Sequence, residues 1–302
     1  MRTVEHSLLA LAGAALVLLI GVNACSTDHG TAPATPIVSQ AQAESLAKTV
    51  VSDVVSEMGT ATMDGAAAAP AAAAPLFAVA PMGTSTASQC IPVKSPASPL
   101  DSDHDGIPDS VRIDYAGCVI SYPLAIDSLS GTIDLIDPTP LTADHAVERV
   151  FTDFRRASVN LISGTETAVT DNGVRTAAHD MTTLRTSETN FRTDYVYANG
   201  ATAEHIRTWT SLFVADVAGS ITPNALLPSG AWTVTGTSAW TRGHSSYSLT
   251  VTTNPPLHYN ASCTTAPRFD AGTITAVVSR GTHTMTVSIQ FTACGKYTVT
   301  RS

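Results

Sequence analysis

Thr284-Met285-Thr286-Val287-Ser288-Ile289-Gln290-Phe291 alternates polar and apolar side chains without a break. A strand points successive side chains to opposite faces, so this stretch offers one face to a core and one to water. Tyr247, Leu249 and Val251 alternate in the same way with Ser248, Thr250 and Thr252. Val111, Ile113 and Tyr115 do so with Arg112 and Asp114. Antiparallel sheets with one solvated side carry this pattern. Turn signals separate the runs: Asp171-Asn172-Gly173, Asn199-Gly200, Arg242-Gly243 and Arg280-Gly281. The spacing predicts an all-β fold, an antiparallel meander of about 10–13 strands. A sheet that wide should curl, or split into a two-layer sandwich.

Composition agrees. The 302 residues include 43 threonines, and threonine favours strands over helices. Hydrophobic residues make up 44% and charged residues 14%, which excludes a highly charged disordered chain. Sixteen Lys+Arg against 25 Asp+Glu give a net charge of -9. With no basic stripe, nucleic acid is not an expected partner.

Residues 1–24 read as a targeting segment, outside the fold. Leu8–Ile20 is apolar, but shorter than the roughly 18–20 residues that span a bilayer. Val22-Asn23-Ala24-Cys25 follows, and small residues before a cysteine resemble the lipobox of bacterial lipoproteins. Asn23 departs from that pattern, where a small or apolar residue is usual. The resemblance implies a lipid on Cys25, which would become the first residue of the mature chain and its link to a membrane. Ser26 after it implies the outer membrane, if the sorting behaviour of such lipoproteins applies. Loss of Arg2 and Glu5 leaves the charge balance unchanged, so the membrane partner would be held by lipid and not by charge.

Residues 25–36 are small, polar and proline-containing, and read as a tether. Residues 37–59 predict a helix, since Ala43, Ala47, Val50, Val54 and Met58 recur at helical steps and Gly59 can stop it. Residues 60–75 contain an Ala/Pro run and read as a linker. Residues 76–302 form the predicted β domain.

Five cysteines are an odd number for a secreted chain. Assigning Cys25 to lipid leaves Cys90, Cys118, Cys263 and Cys294, which an oxidising compartment lets pair. Four cysteines allow three connectivities. An internal echo favours one of them. Val111-Arg112-Ile113-Asp114-Tyr115-Ala116-Gly117-Cys118 matches Val287-Ser288-Ile289-Gln290-Phe291-Thr292-Ala293-Cys294, each with a further cysteine upstream. Pairing within each copy joins Cys90 to Cys118 and Cys263 to Cys294, in what would be two related halves. The absence of any CxxC argues against zinc.

One motif carries chemistry. Asp101-Ser102-Asp103-His104-Asp105-Gly106-Ile107-Pro108-Asp109 reads D-x-D-x-D-G-x-x-D. Carboxylates at alternate positions converge on a hard cation when the loop curls, and Gly106 permits the sharp turn. Calcium takes six to eight oxygens. Asp101, Asp103, Asp105, Asp109 and the Ile107 carbonyl are the candidate ligands of a structural Ca²⁺. The motif resembles the calcium loops of thrombospondin type 3 repeats, and more loosely EF-hands. It occurs once, whereas the thrombospondin type is tandem, and Arg112 sits where an EF-hand has its bidentate Glu. The competing reading is an Asx-rich turn into the Val111 strand.

Catalytic motifs are missing: the sequence has no HExxH, no GxSxG and no P-loop. His179-Asp180 and Glu204-His205 are adjacent pairs, which a strand splits between its faces, and they read as surface decoration. Tyr195, Tyr197, Trp209, Trp232, Trp240, Tyr247 and Tyr259 are expected to fill a core or pair across strands. Gathered on one exposed side they would instead form a stacking platform for a glycan or a wall for a lipid.

Taken together, the chain is similar to uncharacterised lipoproteins from the envelopes of diderm bacteria, in which a lipobox and short helix precede a large antiparallel β region. The residues carrying this are the Asp101–Asp109 run into Val111–Cys118, then Ser130-Gly131-Thr132-Ile133, Ser163-Gly164-Thr165-Glu166-Thr167 and the Cys263–Cys294 segment. Ala116 and Ala293 stand where such proteins usually have glycine. The resemblance implies fold and location, and no activity. The expected function is a non-enzymatic structural or adhesive module, lipid-anchored in the cell envelope, with a glycan, lipid or protein as ligand. The alternative is a carrier whose curled sheet holds a lipid or other apolar molecule.

Overall fold

The computed structural model describes residues 39–60, 90–142, 145–222 and 227–302. Among these, one helix, α1 (Gln40–Thr60), is followed by fifteen strands. They are β1 (Val93–Ser95), β2 (Ser110–Asp114), β3 (Cys118–Ser121), β4 (Ala125–Ile136), β5 (Ala146–Asn160), β6 (Glu166–His179), β7 (Thr183–Val196) and β8 (Thr202–Ala215). Then come β9 (Gly230–Arg242), β10 (Ser245–Thr253), β11 (Leu257–Tyr259), β12 (Phe269–Ala271), β13 (Thr273–Arg280), β14 (His283–Ala293) and β15 (Lys296–Arg301). All belong to one antiparallel sheet in the order β1-β2-β4-β5-β6-β7-β8-β9-β10-β13-β14-β15. β3 flanks β4, and β11 bridges β9 and β12. The two ends do not pair, so the sheet curls without closing into a barrel.

The expected meander is present, as a single sheet and not as a sandwich. Its four additional short pieces, β1, β3, β11 and β12, are three or four residues long. Segments that short show no period of two.

Asp171-Asn172-Gly173 is not a turn. It lies in the middle of β6, where the register to β7 shifts between Asn172 and Val174. Gly173 has φ 124. A hairpin turn and a β-bulge both demand positive φ, so they recruit the same residues. Three neighbouring ladders shift nearby: β4 to β5 at Ser130/Thr132, β5 to β6 at Phe151/Phe154, and β7 to β8 at Glu188/Phe191. Asp153 and Asn190 sit in these breaks with φ 47 and 49. Side chains replace the lost ladder bonds. The Asp153 amide donates to Asn172 Oδ1 at 2.8 Å, and the Asn190 amide to Thr208 Oγ1 at 3.0 Å. A line of bulges thus crosses β4–β8 and sharpens the bend there.

Helix α1 starts on a capping box. Ser39 Oγ accepts from the Gln42 amide at 3.2 Å, and Gln42 Oε1 accepts from the Ser39 amide at 2.7 Å. The start lies slightly inside the expected 37–59. Ala43, Leu46, Ala47, Val50, Val51 and Val54 are buried. They share one core with Trp209, Phe213, Trp232, Leu249, Val251, Ile274, Val287, Ile289 and Phe291. The helix is therefore docked on the sheet face formed by β7–β15. A second cluster joins Val111, Ile113, Tyr115, Leu135 and Phe154 at the β2 end. The echoed segments occupy β2 and β14, and both bury their Val, Ile and aromatic residues.

Two disulfides bind the irregular parts, Cys90–Cys118 and Cys263–Cys294, as the echo suggested. Each closes a loop of about 30 residues, and by the chain-entropy account each contributes about 3–4 kcal/mol. Cys25 and the expected signal segment, tether and linker lie outside the described residues.

The bulge line has a direct test. Gly131 has φ 86, and an added Cβ would run into the Asp153 carbonyl and stand 2.8 Å from Phe154 Cα. Gly131→Ala should cost at least about 2 kcal/mol in denaturant unfolding. Gly200, with φ 76 and open space around it, should lose only about 1 kcal/mol as alanine. Equal costs would contradict the packing across the bulge.

Candidate cation loop and buried ionic belt

The segment from Asp101 to Asp109 curls before β2, inside the ring closed by Cys90–Cys118. Asp101 organises it: Oδ1 accepts from the His104 amide at 2.8 Å and Oδ2 from the Gly106 amide at 3.1 Å. Asp103 Oδ1 accepts from the Asp105 amide, and Asp105 Oδ1 from the Ile107 amide at 2.7 Å. Gly106 takes φ 92, as the sharp turn requires. Carboxylate oxygens of Asp101, Asp103 and Asp105 fall within 4.8 Å of one another. The spacing suits a cation of calcium's size, whose oxygen ligands stand about 2.3–2.6 Å from it.

A second observation points the same way. Asp103 Oδ2 and Asp105 Oδ2 are buried with no hydrogen-bond partner. The Asp105 side chain is fully enclosed, and His145 Nδ1 approaches it only to 3.7 Å. Burial raises the Asp105 pKa, the Ile107 amide lowers it, and the Asp103 and Asp137 carboxylates raise it further. Orphaned carboxylate oxygens in mutual repulsion are what a hard cation relieves.

Asp109 differs from the expected ligand set, while Ile107 has a further role through its side chain. Asp109 faces away, with Oδ1 accepting from the Ser102 amide at 2.8 Å and Oδ2 from the Ser102 hydroxyl at 2.6 Å. Those bonds hold its carboxyl below the usual range. Ile107 buries its side chain against Val147 and Ala177, which anchors the loop to β5 and β6. Arg112 is outside the loop on β2, paired bidentately with Asp134 of β4. Asp137, which the sequence reading missed, faces Asp105 electrostatically.

A second cluster of titratable groups lies on the helix-bearing face. Arg156 Nη2 donates to Asp171 at 2.7 Å, and Thr193 Oγ1 donates to the other Asp171 oxygen at 2.9 Å. Glu188 bridges two arginines, Arg175 Nε at 2.6 Å and Arg207 Nε at 2.8 Å. The guanidinium carbon of Arg175 stands 3.8 Å from the centroid of the Phe191 ring. Asp53 of α1 approaches Arg207 at 3.9 Å and His205 at 3.8 Å. Burial pushes the Asp53 carboxyl up to about 7 despite Arg207. Burial and Arg207 push the His205 imidazole down to about 2, so it stays neutral. Buried charges are tolerated when paired and costly when a partner is lost.

This belt corrects the surface reading of the histidines. His205 is fully buried and His179 is 7% exposed. The alternation itself holds, since Glu204 faces outward and pairs with Arg192 at 3.0 Å. His205 stacks on Trp240 at 3.9 Å, and Tyr195 stacks on the same ring at 5.6 Å. Trp209, Trp232 and Tyr259 are core, while Tyr195, Tyr197, Trp240 and Tyr247 are half-buried. The aromatics thus pack and pair across strands. His258 is held between Asp270 at 2.7 Å and Asp216 at 3.1 Å, which raises its pKa. Both of its nitrogens are committed, so it is not poised as a general base.

Among the described residues no helix is long and apolar enough to cross a membrane. Comparison with protein-family models, with curated proteins and with solved structures finds no match.

Asp53 gives a pH test. Its folded pKa of about 7 exceeds the ordinary 3.8, so between these values the folded chain holds a proton that the unfolded chain releases. Its contribution is greatest at low pH and is lost as pH rises through about 7. Asp53→Asn cannot ionise, so its melting temperature relative to wild type should climb from pH 5 to pH 8. A variant that falls further behind as pH rises would show an ionic latch instead.

Proposed function

We propose that the chain is a non-enzymatic structural or adhesive module of a cell envelope, anchored by lipid on Cys25 and braced by Ca²⁺ in the Asp101–Asp109 loop. The observation that supports this most is the docking of α1. The face a carrier would offer to cargo is occupied from β7 to β15 by the chain's own helix and its apolar contacts. Between β5 and β8 the same face carries paired charges, Arg156 with Asp171 and Glu188 with Arg175 and Arg207. An apolar ligand gains little from such a lining. The titratable groups of this face bind one another, which argues against a hydrolase. The disulfides and the loop stiffen the periphery, as a module exposed outside a cytoplasm requires.

Native mass spectrometry of the full chain, released from its own envelope in mild detergent, tests this reading. The expected mass is that of Cys25–Ser302 with acyl modification, two disulfides, one Ca²⁺ and no cargo. A stoichiometric apolar ligand would establish the carrier instead. An unacylated Cys25 would remove the anchor.

A further inference from the structure

Asp137 follows directly on β4, 28 positions beyond the last aspartate of the loop. Its backbone amide donates to the Asp109 carbonyl at 3.2 Å, stitching the end of β4 to the end of the loop. Its carboxylate is divided in use. Oδ1 accepts from the Thr139 amide at 2.8 Å and forms an Asx turn. Oδ2 is buried without a hydrogen-bond partner, in a residue only 3% exposed. Two enclosed carboxylates, Asp105 in the loop and Asp137 at the end of β4, thus each carry an orphaned oxygen, on segments that the Asp137 amide joins. A cation between them would satisfy both oxygens and reverse the repulsion.

We infer that the cation site spans loop and sheet, with Asp137 as a ligand carried by β4, directly or across one bound water, in the place the loop motif would give to Asp109. This rests on the calcium reading above. Asp137 is not among the three residues whose oxygens already gather within 4.8 Å, which favours the route across a bound water. Asp109 is bound to Ser102 through both oxygens and is held out of the site. Calcium ligation commonly reaches one position through water and needs more oxygens than three aspartates and one carbonyl supply. The consequence is mechanical. A loop site alone would stiffen the loop, whereas a shared site fastens the Cys90–Cys118 segment to the main sheet.

The test is calorimetric titration of the full chain with CaCl2 after treatment with EGTA, for wild type, Asp137→Asn and Asp109→Asn. In Asp137→Asn the new side chain keeps an oxygen for the Thr139 amide, so the turn survives. Asp137→Asn should weaken Ca²⁺ binding at least tenfold, and Asp109→Asn less than threefold. In EGTA the Asp137→Asn chain should melt at or above wild type, because a repulsion has been removed. The melting-temperature rise on adding Ca²⁺ should shrink with the lost affinity. Wild-type affinity in Asp137→Asn, with binding abolished in Asp109→Asn, would overturn the inference and leave the loop site standing. A drop in melting temperature already in EGTA would mark Asp137 as structural and likewise overturn it. Absence of binding by wild type would remove the calcium reading and this inference together.

Discussion

Successive ladders from β4 to β8 each shift register once, at neighbouring heights, around Gly131, Asp153, Gly173 and Asn190. A long antiparallel sheet with one apolar face cannot stay flat in water, since that face needs a cover. The aligned bulges concentrate the bend along one line. Beyond it, β7–β15 present Trp209, Phe213, Trp232 and the alternating residues of β10, β13 and β14 to a single helix. Small and β-branched residues on α1, Ala43, Ala47, Val50 and Val54, let the helix seat closely on that surface. The capping box at Ser39 fixes where it begins.

Charge lies along the bend. Phe151, Phe154 and Phe191 flank the shifted positions, and Arg156, Arg175 and Arg207 pack over their rings. The ion pairs to Asp171 and Glu188 then become obligatory, because an unpaired guanidinium there would cost several kcal/mol. Asp53 carries this network into the helix. The face is thus apolar where α1 lies and ionic where the sheet turns. The loop of Asp101–Asp109 closes the opposite margin through Ile107 and the end of β4.

Much of this was legible in the sequence. Alternation in Val111–Tyr115, Tyr247–Val251 and Met285–Phe291 reports an antiparallel sheet, because burial of one face leaves a direct trace in residue type. The V-x-I-x-aromatic echo reports the disulfides for a similar reason, since both cysteines follow a buried strand. The bulges were hidden, because Asp-Asn-Gly satisfies a turn and a bulge equally. The ionic belt was hidden more deeply. No local pattern marks Arg175, Glu188 and Arg207 as partners, because only strand register places Glu188 between the two arginines. His205 is read as surface for the same reason. Within the loop, the motif identifies Asp101, Asp103 and Asp105, which approach each other through local turns alone. It could not report that Asp109 is taken by Ser102, or that Asp137 arrives from the end of another strand.

The fold depends on α1 being part of the core and not a separate spacer. Hydrogen exchange of the full chain, followed by mass spectrometry, measures this directly. The amides of Ala43–Val54 should be protected as strongly as those of β8 and β9, and should lose protection with them in rising denaturant. Exchange of the helix at the rate of a free peptide, while β8 and β9 stay protected, would show that the sheet holds its fold without it, and would contradict the account.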